Sequence, residues 1–477
     1  MPELTITEDA VSLIDGEPVA ATGRRIPVRS AYTQQTMGHV VEADGAVVDG
    51  AVNAARRAFQ DWSTRPIAER AELVRRAADL IEEQGEIIAE LVTAEMGMPI
   101  TLSRATQWKL PASVLRTAAD RVTDVPWDEA IAGATLHRRP SGVVAAISPW
   151  NMPTYQTVAK VAGALVAGCT VVVKPSVQTP FDAAEFVRLL HASGIPEGVV
   201  QLVQGSGSTT GAALSRHPGV NHVSFTGSVD AGKSVAGLAA TTLARCTLEL
   251  GGKSPAVVLP AADLERVIPA ILSSGFVNAG QACNATTRLV VPANKVGEIE
   301  ELVRASIGSF VIGDPFDEST LIGPLSSVAH GEGVTGFIER ALTDGGRLIT
   351  GGPKRLDGYG AGYFLAPTVI AGLDRSAEAV QEEIFGPVLV VQPYVGIDDA
   401  VAVANDTRFG LSAEVWGPQD VAVAVAQRVR AGQIKVNGVR TRERPGVPFG
   451  GVGESGYGRE LGALGIEEFT DLSAVMS

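Results

Sequence analysis

The sequence predicts an α/β protein: two parallel-sheet units covered by helices, with a small additional β element. Three observations predict it. From about residue 134 to about 250, short β-rich runs (VVAAIS, TVVVKPS, VVQLVQG and HVSFTGS) alternate with helical stretches. A second series of the same kind, with AVVLP, RLVVPA, VLVVQPY and IKVNG, runs from about 256 to 435. With 477 residues the chain is also too long for one ordinary core, so two large domains meeting near residue 250 are expected, with a cleft between them.

Taken in order, the N-terminal MPELTITEDAVSLIDG is acidic and lacks the basic-then-apolar pattern of an export signal. Residues 47–118 alternate charged and apolar positions at helical spacing and predict long amphipathic surface helices. The stretch 134–150 changes period towards strand. The most apolar run, 157-TVAKVAGALVAGCTVVV-173, contains Lys160 and reads as a buried helix and strand rather than a membrane span. The end, 458–477, reads as a short helix and a strand-like tail; with a hairpin candidate near 122–142 it could form a third sheet used for pairing with another subunit.

Composition narrows the function. The formal charge is −14 with no Lys/Arg-rich run, which argues against nucleic acid. Cys169, Cys246 and Cys283 have no metal-ligand spacing and cannot all pair, which favours a reducing, cytoplasmic compartment. Six scattered histidines without HExxH give a catalytic metal no evident home.

Several residues invite a role singly. The run 205-GSGSTTG-211 follows a strand but departs from the dinucleotide fingerprint, which has two residues before its third glycine. In 223-VSFTGSVDAGKSV-235 a strand leads into Gly227 and Ser228 at a helix start, suited either to a pyrophosphate or, with Gly232, merely to close packing. Lys174 ends a strand, where ligands of open α/β sheets bind, and could meet ribose hydroxyls or a phosphate. Cys283, in 275-GFVNAGQACNATTR-288, sits among small and polar neighbours and reads either as an inert small hydrophobe or as a nucleophile on a turn.

The joint pattern resembles the aldehyde dehydrogenase superfamily over essentially the full length. It rests on 149-PWNMP-153, 174-KPSVQTP-180, 225-FTGS-228, 249-ELGGKSP-255, 278-NAGQAC-283, 382-EEIFGPV-388, 448-PFGG-451 and 455-SGYGRE-460, in that order. The resemblance implies a Rossmann-like NAD(P)-binding domain (1–121 and 143–250), an α/β catalytic domain (251–435), an oligomerisation element (122–142 and 458–477) and an active-site loop region (436–457). It implies a homodimer or dimer of dimers, a small-molecule aldehyde as substrate, and neither nucleic acid nor membrane as partner.

Carried over by position, Cys283 matches the nucleophile, Glu249 the general base, and Asn151 the side chain that stabilises an oxyanion together with the Cys283 N–H. Lys174 matches an adenosine-ribose contact, with Ser176 and Val177 beside it on the cofactor side. Gly227 and Ser228 match the pyrophosphate contact, Glu383 the nicotinamide-ribose contact, and Phe385 and Trp150 the nicotinamide side of the site. A thiolate attacks the aldehyde carbon, and oxyanion donors are typically worth about 3 kcal/mol each. Hydride then leaves to the cofactor, and Glu249 deprotonates the water that resolves the thioester.

Val177 stands where many NAD-preferring relatives carry a glutamate that grips the ribose hydroxyls. The expectation is therefore that NADP is accepted beside NAD. Met152, Gln156 and Ala159 on the helix after Asn151, with Ala282 and Asn284, are expected to line the substrate pocket. That helix carries no arginine, which favours an extended apolar or aromatic aldehyde. A semialdehyde is the alternative, with a cation supplied by the three arginines of 439-VRTRERPGVP-448. A CoA-acylating enzyme or a non-catalytic scaffold ranks lower, given Glu249 and the retained residue set.

Overall fold

The two strand series form two separate sheets in the computed structural model, which describes residues 9–19, 23–439 and 444–476. In the first, β1 (Val143–Ile147), β2 (Thr170–Lys174), β3 (Val200–Leu202), β4 (His222–Thr226) and β5 (Arg245–Glu249) run parallel in the spatial order β5-β4-β1-β2-β3. Both faces of this sheet are covered, which is why β1 (VVAAI) and the centre of β2 (TVVVK) are apolar without alternation. Val144, Ala146, Val171 and Val173 pack into one core, and Val143, Ala145, Ile147 and Val172 into another on the opposite face.

The strand order reverses between β1 and β4, and a crevice opens beyond strand ends at such a point. Chain segments following these strands carry much of the predicted site: Trp150 and Asn151 after β1, Gly227 and Ser228 after β4, with Lys174 and Glu249 closing β2 and β5. Helix α1 (Pro153–Ala167) starts two residues after Asn151 and is buried everywhere except at Tyr155. It is the apolar run read from the sequence as a buried helix, and it leads through Gly168, at φ +98°, into β2. Helices α2 (Phe181–Ala192) and α3 (Val229–Ala240) follow β2 and β4.

The second sheet contains β6 (Ser254–Val258), β7 (Thr286–Pro292), β8 (Thr368–Ala371), β9 (Val388–Tyr394), β10 (Ser412–Trp416) and β11 (Gln433–Val436). They are parallel in the order β8-β9-β7-β6-β10-β11, and α4 (Leu264–Phe276) connects β6 to β7. Because β5 runs through residues 250–253 directly into β6, the C-terminal ends of the first sheet face the N-terminal ends of the second. Strands β8 and β10 escaped the sequence reading. In β10, SAEVW, a buried Glu414 interrupts the apolar pattern.

A third, antiparallel sheet pairs Thr470–Met476 with Ala134–Pro140, and the latter with Asp128–Ile131. Of the segment 458–477, only Thr470–Met476 joins it. Ile466 and Phe469 pack in the core of the first unit, and Glu460 is buried against Lys160. No helix among the described residues is long and apolar enough to cross a membrane.

A buried carboxyl pair ties α1, α2 and the helix Glu86–Met96 together. Glu95 accepts the Phe181 N–H at 2.9 Å and Asp182 accepts the Thr154 hydroxyl at 2.6 Å, while the second oxygen of each carboxyl is buried without a partner among the described residues. Burial raises both: Asp182 to about 7, and Glu95 well above the carboxylate range, with the Asp182 charge adding to the effect. The unfolded chain gives up these protons near pH ~4 while the fold retains at least one, so stability falls as pH rises from about 4 through about 7. Glu95→Gln keeps the acceptor for Phe181 and donates an amide N–H to Asp182. Urea unfolding of this variant should show a shallower loss of stability with pH than the parent; an unchanged slope would exclude the pair as its source.

Candidate active site

Cys283 lies between α4 and β7, behind three left-handed residues, Asn278 (φ +52°), Ala279 (φ +55°) and Gly280 (φ +74°). Such a conformation costs a non-glycine residue on the order of 1–3 kcal/mol and persists only where its surroundings enforce it. The enforcement is visible. Asn278 donates to the carbonyls of Asn151 (3.0 Å) and Gln281 (3.3 Å), and the Gln281 amide donates to the Asn278 carbonyl (3.0 Å) and accepts from Ser326 N–H (2.9 Å). A Cβ on Gly280 would lie 2.0 Å from the Gly386 carbonyl oxygen, so no other residue fits there.

The contact is reciprocal, since the Asn151 side chain donates to the Gln281 carbonyl at 3.0 Å. One of the two Asn151 amide hydrogens is thereby used, and the other remains for a ligand. Asn151 and Cys283 line a common cavity of ≈ 290 Å³, at the lower end of the ~300–1,000 Å³ usual for small-molecule sites. Met152, Gln156, Ala282 and Asn284 line it as well. Ala159 does not: it is buried on α1 away from the lining, which corrects its assignment to the pocket.

Glu249 is buried at the end of β5, and both its oxygens lack hydrogen-bond partners among the described residues. Burial and then the charge of Glu460 raise its pKa well above the usual carboxylate range, while Lys160 and Arg459 oppose the rise. Lys160 and Glu460 form a fully buried ion pair at 2.5 Å, and Lys160 also donates to Thr226 at 2.5 Å. The Cys283 thiol is pushed up to about 12, by burial first and then by Glu383 and Glu249.

Glu383 accepts the Gly252 N–H at 3.1 Å, and burial lifts it to about 7. Phe385 adopts φ +58° and stacks edge-on against Trp150 at 5.5 Å. His330 completes this aromatic group: its ring lies 5.4 Å from Trp150, and its Nε2–H donates to the Phe385 carbonyl at 2.8 Å.

Lys174 is buried, with its pKa lowered to about 8 by burial, and makes one hydrogen bond among the described residues, to the Pro175 carbonyl at 2.9 Å. Two of its N–H donors remain. Ser176 accepts the Gln178 N–H, and Val177 packs on the cluster that holds Leu91 and Phe181. Ser228 is exposed and caps α3 through its own hydroxyl, bonded to the Ala231 N–H. Gly227 has no room for a side chain, because a Cβ would meet the Phe225 ring at 2.5 Å; Gly232 is equally close to Leu250. The close-packing reading of those glycines therefore holds, and Ser228 stands at the N-terminus of α3.

A bound dinucleotide fits what is present: a crevice at the strand-order reversal, spare cationic donors at Lys174, an open helix N-terminus at Ser228, and an aromatic group at Trp150 and Phe385. The sequence reading missed Asn278 and Gln281, although both stand inside its NAGQAC motif, and missed His330, Lys160 and Glu460, which only the fold brings together. Of the three loop arginines, Arg440 and Arg442 lie outside the described residues, and Arg444 is exposed and does not line the cavity. The cation that does line it is Lys435.

Residues 19–475 match the profile of the aldehyde dehydrogenase family. Among similar proteins is a 3-succinoylsemialdehyde-pyridine dehydrogenase of Pseudomonas sp., 40% identical over 97% of each chain. Another is a geranial dehydrogenase of Castellaniella defragrans, 38% identical over 95% of each. A mutant aldehyde dehydrogenase C from Pseudomonas syringae, solved with NAD+ and octanal, is 42% identical with a TM-score of 0.96, covering 98% of this chain and 96% of that one.

The geometry of Cys283 has a direct kinetic consequence. With its pKa held near 12, the free enzyme carries little thiolate at neutral pH. Alkylation by iodoacetamide, followed by mass spectrometry at this peptide, should accelerate about tenfold per pH unit with no plateau near neutrality. A plateau below about pH 8 would reveal a pre-formed thiolate and contradict the burial argument.

Proposed function

The chain belongs to the aldehyde dehydrogenase family, and we propose that it oxidises an extended apolar or aromatic aldehyde to the carboxylic acid through covalent attachment to Cys283. The observation that carries this reading is the shared cavity of Cys283 and Asn151, with the amide tied to the cysteine loop before any ligand arrives. Attack of the thiolate on the aldehyde carbon places negative charge on oxygen. The free Asn151 N–H and the Cys283 backbone N–H are the donors that receive it.

A nicotinamide dinucleotide, when bound, supplies the two-electron acceptor. Lys174, Gly227 and Ser228 would hold its adenosine and phosphate end, and Glu383, Phe385 and Trp150 its nicotinamide end. The thioester left on Cys283 needs a nucleophilic water. Glu249 is the base we assign to it, since a carboxyl raised above its ordinary range accepts a proton near neutral pH. Lys160 and Glu460 set the charge that Glu249 feels.

The P. syringae relative solved with NAD+ supports NAD as a cofactor of this chain. At the ribose end Val177 offers no carboxylate to repel a 2′-phosphate, and Lys174 has spare donors for one, so NADP is accepted as well. The octanal complex and the geranial dehydrogenase support an apolar substrate. Self-association as a dimer, or a dimer of dimers, would use the outer edge of Thr470–Met476, where Leu472, Val475 and Met476 stand exposed. Three unpaired cysteines support a reducing, cytoplasmic setting.

Three experiments test this function. Cys283→Ala should abolish aldehyde oxidation and the hydrolysis of activated esters together; surviving ester cleavage would point to another nucleophile. Glu249→Gln should retain a rapid first turnover and lose steady-state rate by roughly 10²–10⁴-fold; equal loss of the burst would place Glu249 before the acyl step. The ratio of kcat/KM for NAD over NADP should lie below about a hundredfold, or ~2.7 kcal/mol, and Val177→Glu should raise it. A larger ratio in the parent enzyme would refute the reading of Val177.

A further inference from the structure

One stretch of the cavity wall carries an ion pair. It comes from the second unit: Glu414 and Trp416 on β10, Lys435 directly opposite Glu414 on β11, and Ser274 on α4. Glu414 and Trp416 are two residues apart on one strand and so share a face, and the strand register puts Lys435 on that face too. Lys435 and Glu414 form an ion pair at 2.9 Å, with side chains only 12% and 5% exposed.

The partners in this cluster are unequally committed. Both oxygens of the Glu414 carboxylate are bonded: one accepts from Lys435 and from Ser274 (2.7 Å), the other from the Trp416 indole N–H (3.0 Å). Lys435 makes no other hydrogen bond among the described residues, so two of its three N–H donors are available while its side chain lines the cavity. We infer that Lys435 recognises a neutral hydrogen-bond acceptor, a ketone, ether or hydroxyl oxygen, on the part of the substrate distal to the aldehyde. This assignment rests on the aldehyde-oxidation reading and names the substrate class of that same site.

Charge decides for a neutral acceptor over a carboxylate. A substrate carboxylate bound to Lys435 would also come within a few ångströms of the ionised Glu414, and its repulsion would offset much of the attraction. A neutral oxygen takes the charge-assisted bond without that opposition. A plain alkyl chain fares worse in a different way, because it displaces water from Lys435 and returns no partner. Elsewhere in the lining, Leu102, Leu110, Met152 and Phe449 offer apolar surface for the carbon chain.

The test uses purified full-length enzyme with octanal and decanal, and with chains of the same length in which one internal methylene is replaced by a ketone or an ether oxygen, moved along the chain. For at least one position the oxygenated aldehyde should exceed its alkyl parent in kcat/KM by roughly ten- to a hundredfold, the range for a hydrogen bond to a charged group. Lys435→Met should erase that preference, the oxygenated aldehydes falling to the level of their alkyl parents. Glu414→Gln removes the competing charge and should raise turnover of an ω-carboxylated aldehyde. Octanal oxidation with no preference at any position overturns the role of Lys435, as does a Lys435→Met enzyme that retains the preference. The parent comparison needs no variant, so a misfolded mutant does not rescue the inference. Oxidation of neither series, with either cofactor, overturns the aldehyde-oxidation reading itself and this inference with it.

Discussion

The site depends on one reciprocal set of hydrogen bonds across the cleft. Asn278 reaches from the second unit to the Asn151 carbonyl, and Asn151 reaches back from the first unit to the Gln281 carbonyl. Because β5 passes straight into β6, the two sheet edges already face each other, and these bonds fix the distance between the turn after β1 and the loop before β7. The left-handed residues Asn278 and Ala279 would be costly in isolation. Here their strain is offset by bonds that also aim the Asn151 amide. Donors held in place before the reaction need no reorganisation when charge develops, and that is where most electrostatic catalysis originates.

Around that set of bonds buried acids from both units gather. Glu249, Glu383 and Glu460 lie close enough to influence one another or the thiol, against one fully buried lysine paired with Glu460. Desolvation is the largest cause of the shift at Cys283, Glu249 and Glu383, and like charge adds to it at the first two. The resting site is therefore poised towards a neutral thiol, with its carboxyls held as stronger bases than in water. That arrangement protects a nucleophile from adventitious chemistry, and it makes hydration or a cationic neighbour the factor that releases it.

Much of this was legible in the sequence where the signal was local. The β1 and β2 runs were readable because strands covered on both faces carry nearly unbroken apolar stretches, and α1 because Lys160 is its only charge. Cys283, Asn151, Met152, Gln156, Ala282 and Asn284 do meet at one cavity, whereas Ala159, one helical turn further along, faces elsewhere. What sequence could not supply is pairing at long range. Lys160 and Glu460 are 300 residues apart, and His330 meets Phe385 across 55. Strand β10 was missed for an instructive reason: its buried Glu414 breaks the apolar pattern, and the residues that neutralise it sit on other elements.

That broken pattern carries its own argument. A buried ion pair is a weak source of stability, and apolar residues of similar volume often serve as well or better. Lys160 and Glu460 can be understood despite this, because they sit where they set the charge felt by Glu249. Glu414 and Lys435 have no such neighbour, and their strands lie in a sheet whose packed core is built mostly from valine, alanine, leucine and isoleucine. What distinguishes the positions is that both side chains face the cavity, and that both Glu414 oxygens are bonded while two Lys435 donors are not. Stability alone would favour filling both positions with apolar side chains. A selective site would keep a locked carboxylate that holds its lysine in place and dilutes its charge, leaving donors that discriminate among neutral ligands by hydrogen bonding rather than by net attraction.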